Sequence, residues 1–232
     1  MLTGYFLAGQ GLKTVILERG RIGCGQTGRT TAKITSQQGL IYQTLIRRFG
    51  AGTAKKFAQS QQEAVALYQQ LIRRLHIDCD LEPASAYLYG SGNAALLKSE
   101  ADAAASLGLP ASFCGPEALH LPFETDGAVR FDRQAQFHPL KFLDALSREL
   151  CIFENTPVTK VRGGTLLAGG HTVCAHAVVF AAHYPLWNLP GLYFTRLSQQ
   201  RAYCLALENA PLPPGMFLDV KQDGLSLRRH GA

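Results

Sequence analysis

The stretch Lys13-Thr14-Val15-Ile16-Leu17-Glu18 constrains this chain more than any other part of it. It is a near-continuous β-branched and aliphatic run that ends in an acid. Runs of this kind read as strands of a parallel sheet, buried on both faces. The next segment is opposite in character. Residues 19–38 are rich in Gly, Thr and Ser and carry no periodicity, which predicts a long loop, and loops of that length in compact domains usually carry function. Residues 2–10 read as the tail of an apolar helix that Gly11 ends. Helix, strand, acid and glycine-rich loop is the order found in a dinucleotide-binding unit. There a glycine-rich turn lets a pyrophosphate reach the backbone, a helix N-terminus faces it, and an acid at the end of the second strand holds a ribose hydroxyl. Glu18 is the candidate for that acid. The first strand and its G-x-G-x-x-G would lie upstream of Met1, since Gly4 already falls inside the helix.

The remaining pattern is mixed. Residues 40–49 and 51–76 predict a short and a long helix, the second with Ala54, Phe57, Ala58, Val65, Tyr68, Leu71, Ile72 and Leu75 near helical spacing. Strands are expected at 86–89 and 127–131, and helices at 94–107 and 139–150, with Pro139 suited to a first turn. Residues 158–161, 165–167 and 171–173, separated by Gly163-Gly164 and Gly169-Gly170, predict a small meander. Residues 177–182 read as another buried strand, and 201–207 and 216–220 as two more. This order predicts an α/β protein: a Rossmann-like nucleotide-binding layer interrupted by an inserted, mostly antiparallel α+β layer. The expected boundaries are 1–80 and 151–190 for the two parts of the first layer, and 81–150 and 191–232 for the two parts of the second.

Composition narrows the function classes. Of 232 residues, 47% are hydrophobic, yet no run approaches the roughly 18 to 20 apolar residues of a membrane span. No basic segment precedes the apolar start and no small-residue cleavage site comes after it, so a cytoplasmic location is expected. The six cysteines are scattered without a C-x-x-C pair, which suits reduced thiols. Cys174-Ala175-His176 has the spacing of half a metal site, but no second pair matches it, and no metal is expected. The net charge of +6 is spread over pairs such as Arg47-Arg48 and Arg73-Arg74 on helical stretches. That is a solvated-face pattern, and no nucleic-acid partner is expected.

The segment Glu18-Arg19-Gly20 through Gly28-Arg29-Thr30-Thr31-Ala32-Lys33-Ile34-Thr35-Ser36-Gln37 resembles the D-amino-acid-oxidase and glycine-oxidase class of FAD-dependent oxidoreductases. It is especially like the branch often followed by a Rieske iron–sulfur domain. Asn155-Thr156-Pro157-Val158 is similar to the strand whose valine backbone meets the adenine in that class. Val178 to Pro185 is similar to a later strand that ends beside the flavin phosphates, and Gln134 to Lys141 to the helix start that leads back from the substrate layer. The resemblance implies FAD as cofactor. It implies cofactor contacts at Glu18, Arg19, Gly25, Thr27, Gly28, Thr30, Thr31, Ala32, Val158, Ala181 and Ala182. Small residues there admit the backbone to the phosphates, and hydroxyls and amides donate to them.

In this class a flavin takes a hydride from the carbon bearing an amine, and the imine hydrolyses in water. The protein aligns the C–H bond, so no catalytic acid or base is nominated. A small-molecule amine or amino acid is the implied substrate. A Rieske domain outside this chain, or another acceptor, is the implied electron partner. Arg201 and Arg228 (with Arg229) are the candidates for a substrate carboxylate, which a planar guanidinium binds through two parallel hydrogen bonds. The class also has a second glycine-rich segment nearer its C-terminus, beyond Arg229-His230-Gly231-Ala232, so truncation at both ends and poor flavin retention are expected. The alternatives are a non-catalytic remnant that binds little flavin and, less favoured by the loop after Glu18, a module that binds NAD.

Overall fold

The computed structural model describes residues 1–92, 94–184, 191–221 and 223–229. Helix α1 spans Leu2–Gly9, and strand β1 comes next at Ile16–Leu17. A 3-10 turn over Gln26–Arg29 leads to β2 at Lys33–Ile34. Helix α2 runs over Tyr42–Arg74 but is broken at Gly50, whose φ of 77° and ψ of 157° are not helical. The short and long helices read from the sequence therefore meet at that glycine, which adopts a left-handed φ without a Cβ penalty. Strand β3 covers Glu82–Gly90, helix α3 Ala94–Ser106 and β4 Ala111–Cys114. Gly108, at φ +89°, closes α3, and the Leu109 amide donates back to Ala104 O at 3.2 Å. Strand β5 spans Gly127–Gln136 and α4 Pro139–Ser147. The last strands are β6 (Ile152–Phe153), β7 (Val158–Arg162), β8 (Thr165–Ala168), β9 (His171–Cys174), β10 (Met216–Asp219) and β11 (Ser226–Arg228).

The strands form three sheets. β1 pairs with β6 in parallel, Ile16 beside Ile152 and Leu17 beside Phe153. β7, β8 and β9 make an antiparallel meander. The main sheet has the order β11-β10-β3-β5-β2, with β4 added to β5. It is antiparallel except where β10 lies parallel to β3. The two ends of this sheet come together through side chains. Arg228 of β11 donates to Thr31 O at 2.5 Å, and Lys33 of β2 donates to Phe217 O at 3.0 Å. The sheet is therefore curled.

α2 and α3 pack on the curled sheet through Tyr42, Ala54, Ala58, Leu97, Ala101 and Ala104, against Leu88, Val129 and Phe131. Small alanines on the helices let the backbones approach the large residues of the strands. A second core joins Val65, Leu71 and Ile72 of α2 to Phe137, Phe142 and Leu146, and α1 lies against it through Leu2 and Tyr5.

Several expectations need correction. Only Ile16–Leu17 of the 13–18 run is a strand, and Val15 is 41% exposed rather than buried. β1 has a single neighbour among the described residues, so its other edge is left without a ladder there. The loop 19–38 is interrupted by the 3-10 turn and by β2, which finds a partner in β5. Residues 177–182 form no strand, and Val179 and Phe180 are exposed. Residues 201–207 likewise form none, with Tyr203 and Leu205 almost fully exposed. β-Branched and aromatic runs become strands only where a neighbour supplies a ladder, and neither run is part of a sheet among the described residues. Gln134–Gln136, read as leading into a helix, belong to β5, and the helix begins only at Pro139. Pro185 of the segment expected beside the phosphates, and residues 230–232, lie outside the described residues.

Candidate functional site

Two segments converge on Glu18. The β1–β6 ladder continues past Leu17: the Glu18 amide donates to Phe153 O at 2.9 Å, and the Thr156 amide donates to Glu18 O at 2.8 Å. The Asn155 amide adds a bond to Gly20 O at 2.7 Å. The parallel register thus sets Asn155 and Thr156 beside the acid and its loop, while half-buried Val158 pairs with Ala168 in the meander. The Glu18 Oε1 accepts from the Gly20 amide at 2.8 Å, which holds the carboxylate at the start of the loop. Its other oxygen carries no hydrogen bond among the described residues.

Beyond Glu18 the chain doubles back tightly. The Ile22 amide donates to Glu154 Oε1 at 2.6 Å, and the Cys24 amide to Arg21 O at 3.1 Å. Gly28 lies so close to this turn that a Cβ there would sit 1.9 Å from Gly23 O. The position admits glycine alone unless the turn opens. Leu140 of α4 packs beside both Gly23 and Gly28 and anchors the turn from below. Arg19, Gly25, Thr27, Thr30 and Thr31 remain exposed or half-buried at the surface.

The loop ends under strain. Ala32 is buried with φ +47°, a region that costs an L-residue about 1 kcal/mol. Several contacts hold it there. The Thr30 hydroxyl accepts from the Ala32 amide at 3.2 Å, the Phe137 amide donates to Ala32 O at 3.4 Å, and Arg228 reaches the same carbonyl. Next along, the Ser36 amide donates to Gln134 Oε1 at 2.7 Å, and the Tyr42 hydroxyl donates to Ser36 O. The hydroxyl of Tyr42 is pushed well above the ordinary phenol value by burial, with Glu100 adding to it.

Of the two arginines expected near a substrate, Arg228 is brought to the loop. Its Nη1 bonds the carbonyls of Thr31, Ala32 and Phe137, and burial holds its guanidinium below the ordinary value. Arg201 lies in exposed chain outside every described sheet and helix. Ala181 and Ala182 are also exposed, and among the described residues no backbone ladder joins residues 177–182 to β1. Lys33, directly after the loop, was not singled out from the sequence. Its amine is pushed down to about 8 by burial and by the charge of Arg228. A lysine between Ala32 and Ile34 in a strand-forming run is the signal that could have marked it. Among the described residues no group of three or more His, Cys, Asp or Glu is placed to hold a metal, and no helix is long and apolar enough to cross a membrane.

An acid closes a parallel strand, and a turn that only glycine fits and exposed hydroxyls come after it. The loop then runs into a curled sheet layered with helices. Residues 1–230 match the family model described as FAD dependent oxidoreductase (DAO), and the chain belongs to that family. It is 30% identical, over 97% of its length, to the putative Rieske 2Fe-2S iron-sulfur protein YhfW of Bacillus subtilis (strain 168), of which it covers 46%. Among solved structures it resembles glycine oxidase from Geobacillus kaustophilus, with a TM-score of 0.54, 20% identity, and coverage of 77% of this chain and 50% of that one. It also resembles L-proline dehydrogenase from P. horikoshii, with a TM-score of 0.59, 15% identity, and coverage of 74% and 46%. The chain therefore spans about half the length of the relatives it matches. Its fold is the α/β architecture of that family: an FAD-binding Rossmann-like layer with an inserted, mostly antiparallel α+β layer.

The residues present fit part of an FAD. Glu18 has an oxygen open for a ribose hydroxyl. Gly28 closes on Gly23, a Cβ at Gly25 would meet open space, and Thr27, Thr30 and Thr31 are exposed, a set of small and hydroxyl residues that suits phosphate oxygens.

Proposed function

We propose that this chain is part of an FAD-dependent oxidoreductase that oxidises the C–N bond of an amine or amino acid. The observation that supports this reading is the β1–β6 register, continued by the bonds from Thr156 to Glu18 and from Asn155 to Gly20 at the start of the glycine-tight turn. Bound flavin would supply the hydride acceptor for the carbon bearing the amine. The chain's own residues bind and orient. Glu18 accepts from the ribose, the hydroxyls of Thr27, Thr30 and Thr31 donate to the diphosphate, and Gly25 and Gly28 keep the approach clear. Arg19, Ala32 and Val158 complete the cofactor surface, and Ala181 and Ala182 join it once residues 177–182 gain a ladder partner. Residues 1–80 and 151–190 form the cofactor layer in this reading, and residues 81–150 and 191–232 the substrate layer. A Rieske iron–sulfur domain is the electron acceptor we assign, by likeness to the Bacillus relative.

The test is FAD titration monitored by flavin fluorescence. A hydrogen bond to a charged group contributes about 1.5–3 kcal/mol, so Glu18→Ala should weaken FAD binding by roughly tenfold or more. Equal affinity of Glu18→Ala and the unaltered chain, or no flavin binding by the latter, would overturn the reading. Anaerobic bleaching of the bound flavin by an amine or amino acid would then identify the substrate.

A further inference from the structure

Charge is not spread evenly along this chain. Residues 19–62 hold eight Lys and Arg and no Asp or Glu, while the rest of the chain has 15 Lys and Arg against 17 Asp and Glu. Half of those eight cations, Arg47, Arg48, Lys55 and Lys56, flank the break in α2 at Gly50. All four are exposed, and none forms an ion pair among the described residues. Glu100 of α3 reaches this helix, but it is buried, and its carboxylate is taken up by the amides of Tyr42 and Gln43. Charges that read from the sequence as solvated helix faces are therefore gathered about one elbow.

The same elbow presents an apolar tip. Leu45, Ile46 and Phe57 pack onto the core, whereas Phe49 is 61% exposed. Gly50, Ala51 and Gly52 come next, all exposed, and a Cβ at either glycine would meet nothing within 4 Å. Phe49 thus stands clear of the fold, with two cations before it and two beyond the small residues. An exposed phenylalanine forgoes the stabilisation of burial, and unpaired like charges repel one another. A partner that is anionic at its surface and apolar beneath it relieves both.

A lipid surface has that layering. One ring among four cations falls short of a stable protein interface, which covers about 800 Å² per partner. Single-stranded nucleic acid is bound along a basic groove by successive stacking aromatics, and the elbow offers one ring in open space. An inserted apolar side chain and a basic cluster are the two signals that together hold a protein on an anionic bilayer. We propose that the elbow of α2 seats this chain on an anionic lipid surface, with Phe49 entering the acyl layer and Arg47, Arg48, Lys55 and Lys56 resting on the headgroup phosphates. The surface is separate from the residues assigned to flavin and does not depend on that reading.

Flotation of the full chain with vesicles of equimolar phosphatidylcholine and phosphatidylglycerol, and with phosphatidylcholine vesicles, is the test. The chain should float with the anionic vesicles and not with the neutral ones, and high salt should release it. Phe49→Ser should weaken binding roughly tenfold, and Arg48→Gln about fivefold. Arg73→Gln makes the same charge change roughly 35 Å along the helix from the elbow and should do little. Phe49→Trp should bind no less tightly, and its added emission should shift to the blue with anionic vesicles alone. All these side chains are exposed, so melting temperatures should stay unchanged. No flotation of the unaltered chain, unweakened binding by Phe49→Ser, equal losses from Arg48→Gln and Arg73→Gln, or no blue shift overturns the inference. Tighter binding to a DNA oligonucleotide than to the anionic vesicles, read by fluorescence anisotropy, overturns it in favour of a nucleic acid.

Discussion

Replacing Glu100 should destabilise the molecule through the N-terminus of α2. Glu100, on α3, is 1% exposed. Its carboxylate accepts from the amides of Tyr42 at 2.6 Å and Gln43 at 3.1 Å, the first residues of α2. Ile41, at the N-cap position of α2, offers no side-chain cap of its own, so Glu100 supplies it from another helix. The helix dipole favours a negative charge at this end. Glu100→Ala removes both acceptors and strands two amides, of which that of Tyr42 is buried. Each unsatisfied buried donor costs about 1–3 kcal/mol, and lost caps typically cost about 0.5–2 kcal/mol. Because these overlap, a loss of about 3 kcal/mol is expected for Glu100→Ala. For a chain of this size that is a fall in melting temperature of roughly 6–12 °C. Glu100→Gln keeps one acceptor and should lose about half as much. Urea unfolding monitored by circular dichroism measures the loss, and hydrogen exchange at the Tyr42 and Gln43 amides locates it. A Glu100→Ala chain within about 0.5 kcal/mol of the unaltered one would refute the reasoning.

Three further outcomes are expected. Gly28→Ala places a methyl group where Gly23 O lies, so the turn must open; FAD affinity should fall without a comparable loss of melting temperature, which flavin fluorescence and thermal scans separate. Gly50→Ala meets open space but forces an L-residue to φ +77°, so it should cost about 1–2 kcal/mol by urea unfolding through backbone strain alone. Lys33, with its amine lowered to about 8 from 10.5, gives up a proton in the folded chain that the unfolded chain keeps. Between those pH values stability should rise with pH more steeply in the unaltered chain than in Lys33→Met, and below pH 8 the difference should be constant. A difference that does not change over that window would contradict the burial of Lys33.

Local chemistry was read well from the sequence and non-local pairing poorly. Gly50 and Gly108 ended helices where glycine conformation alone decides. The meander of β7 to β9 was legible in its paired glycine turns. Residues 177–182 and 201–207 carry strand composition just as plain as that of β10. Only β10 lies beside a partner strand, β3, which is more than a hundred residues earlier in the chain. Strand propensity describes one side of a ladder and is silent about the other. The same limit applies at the site. Glu18, Gly28 and the threonines were legible because strand end and loop are contiguous. Glu100 and Gln134 were not, because each acquires its role from a residue on another element.

The bond from Arg228 to Thr31 O joins residues 197 positions apart. During synthesis the segment around Thr31 leaves the ribosome 197 residues ahead of Arg228 and waits that long for this clamp. Its left-handed alanine has no such restraint until β11 docks. The loop after Glu18 is thus among the later features of the described chain to take shape, and its order becomes a readout of whether β11 has found its place.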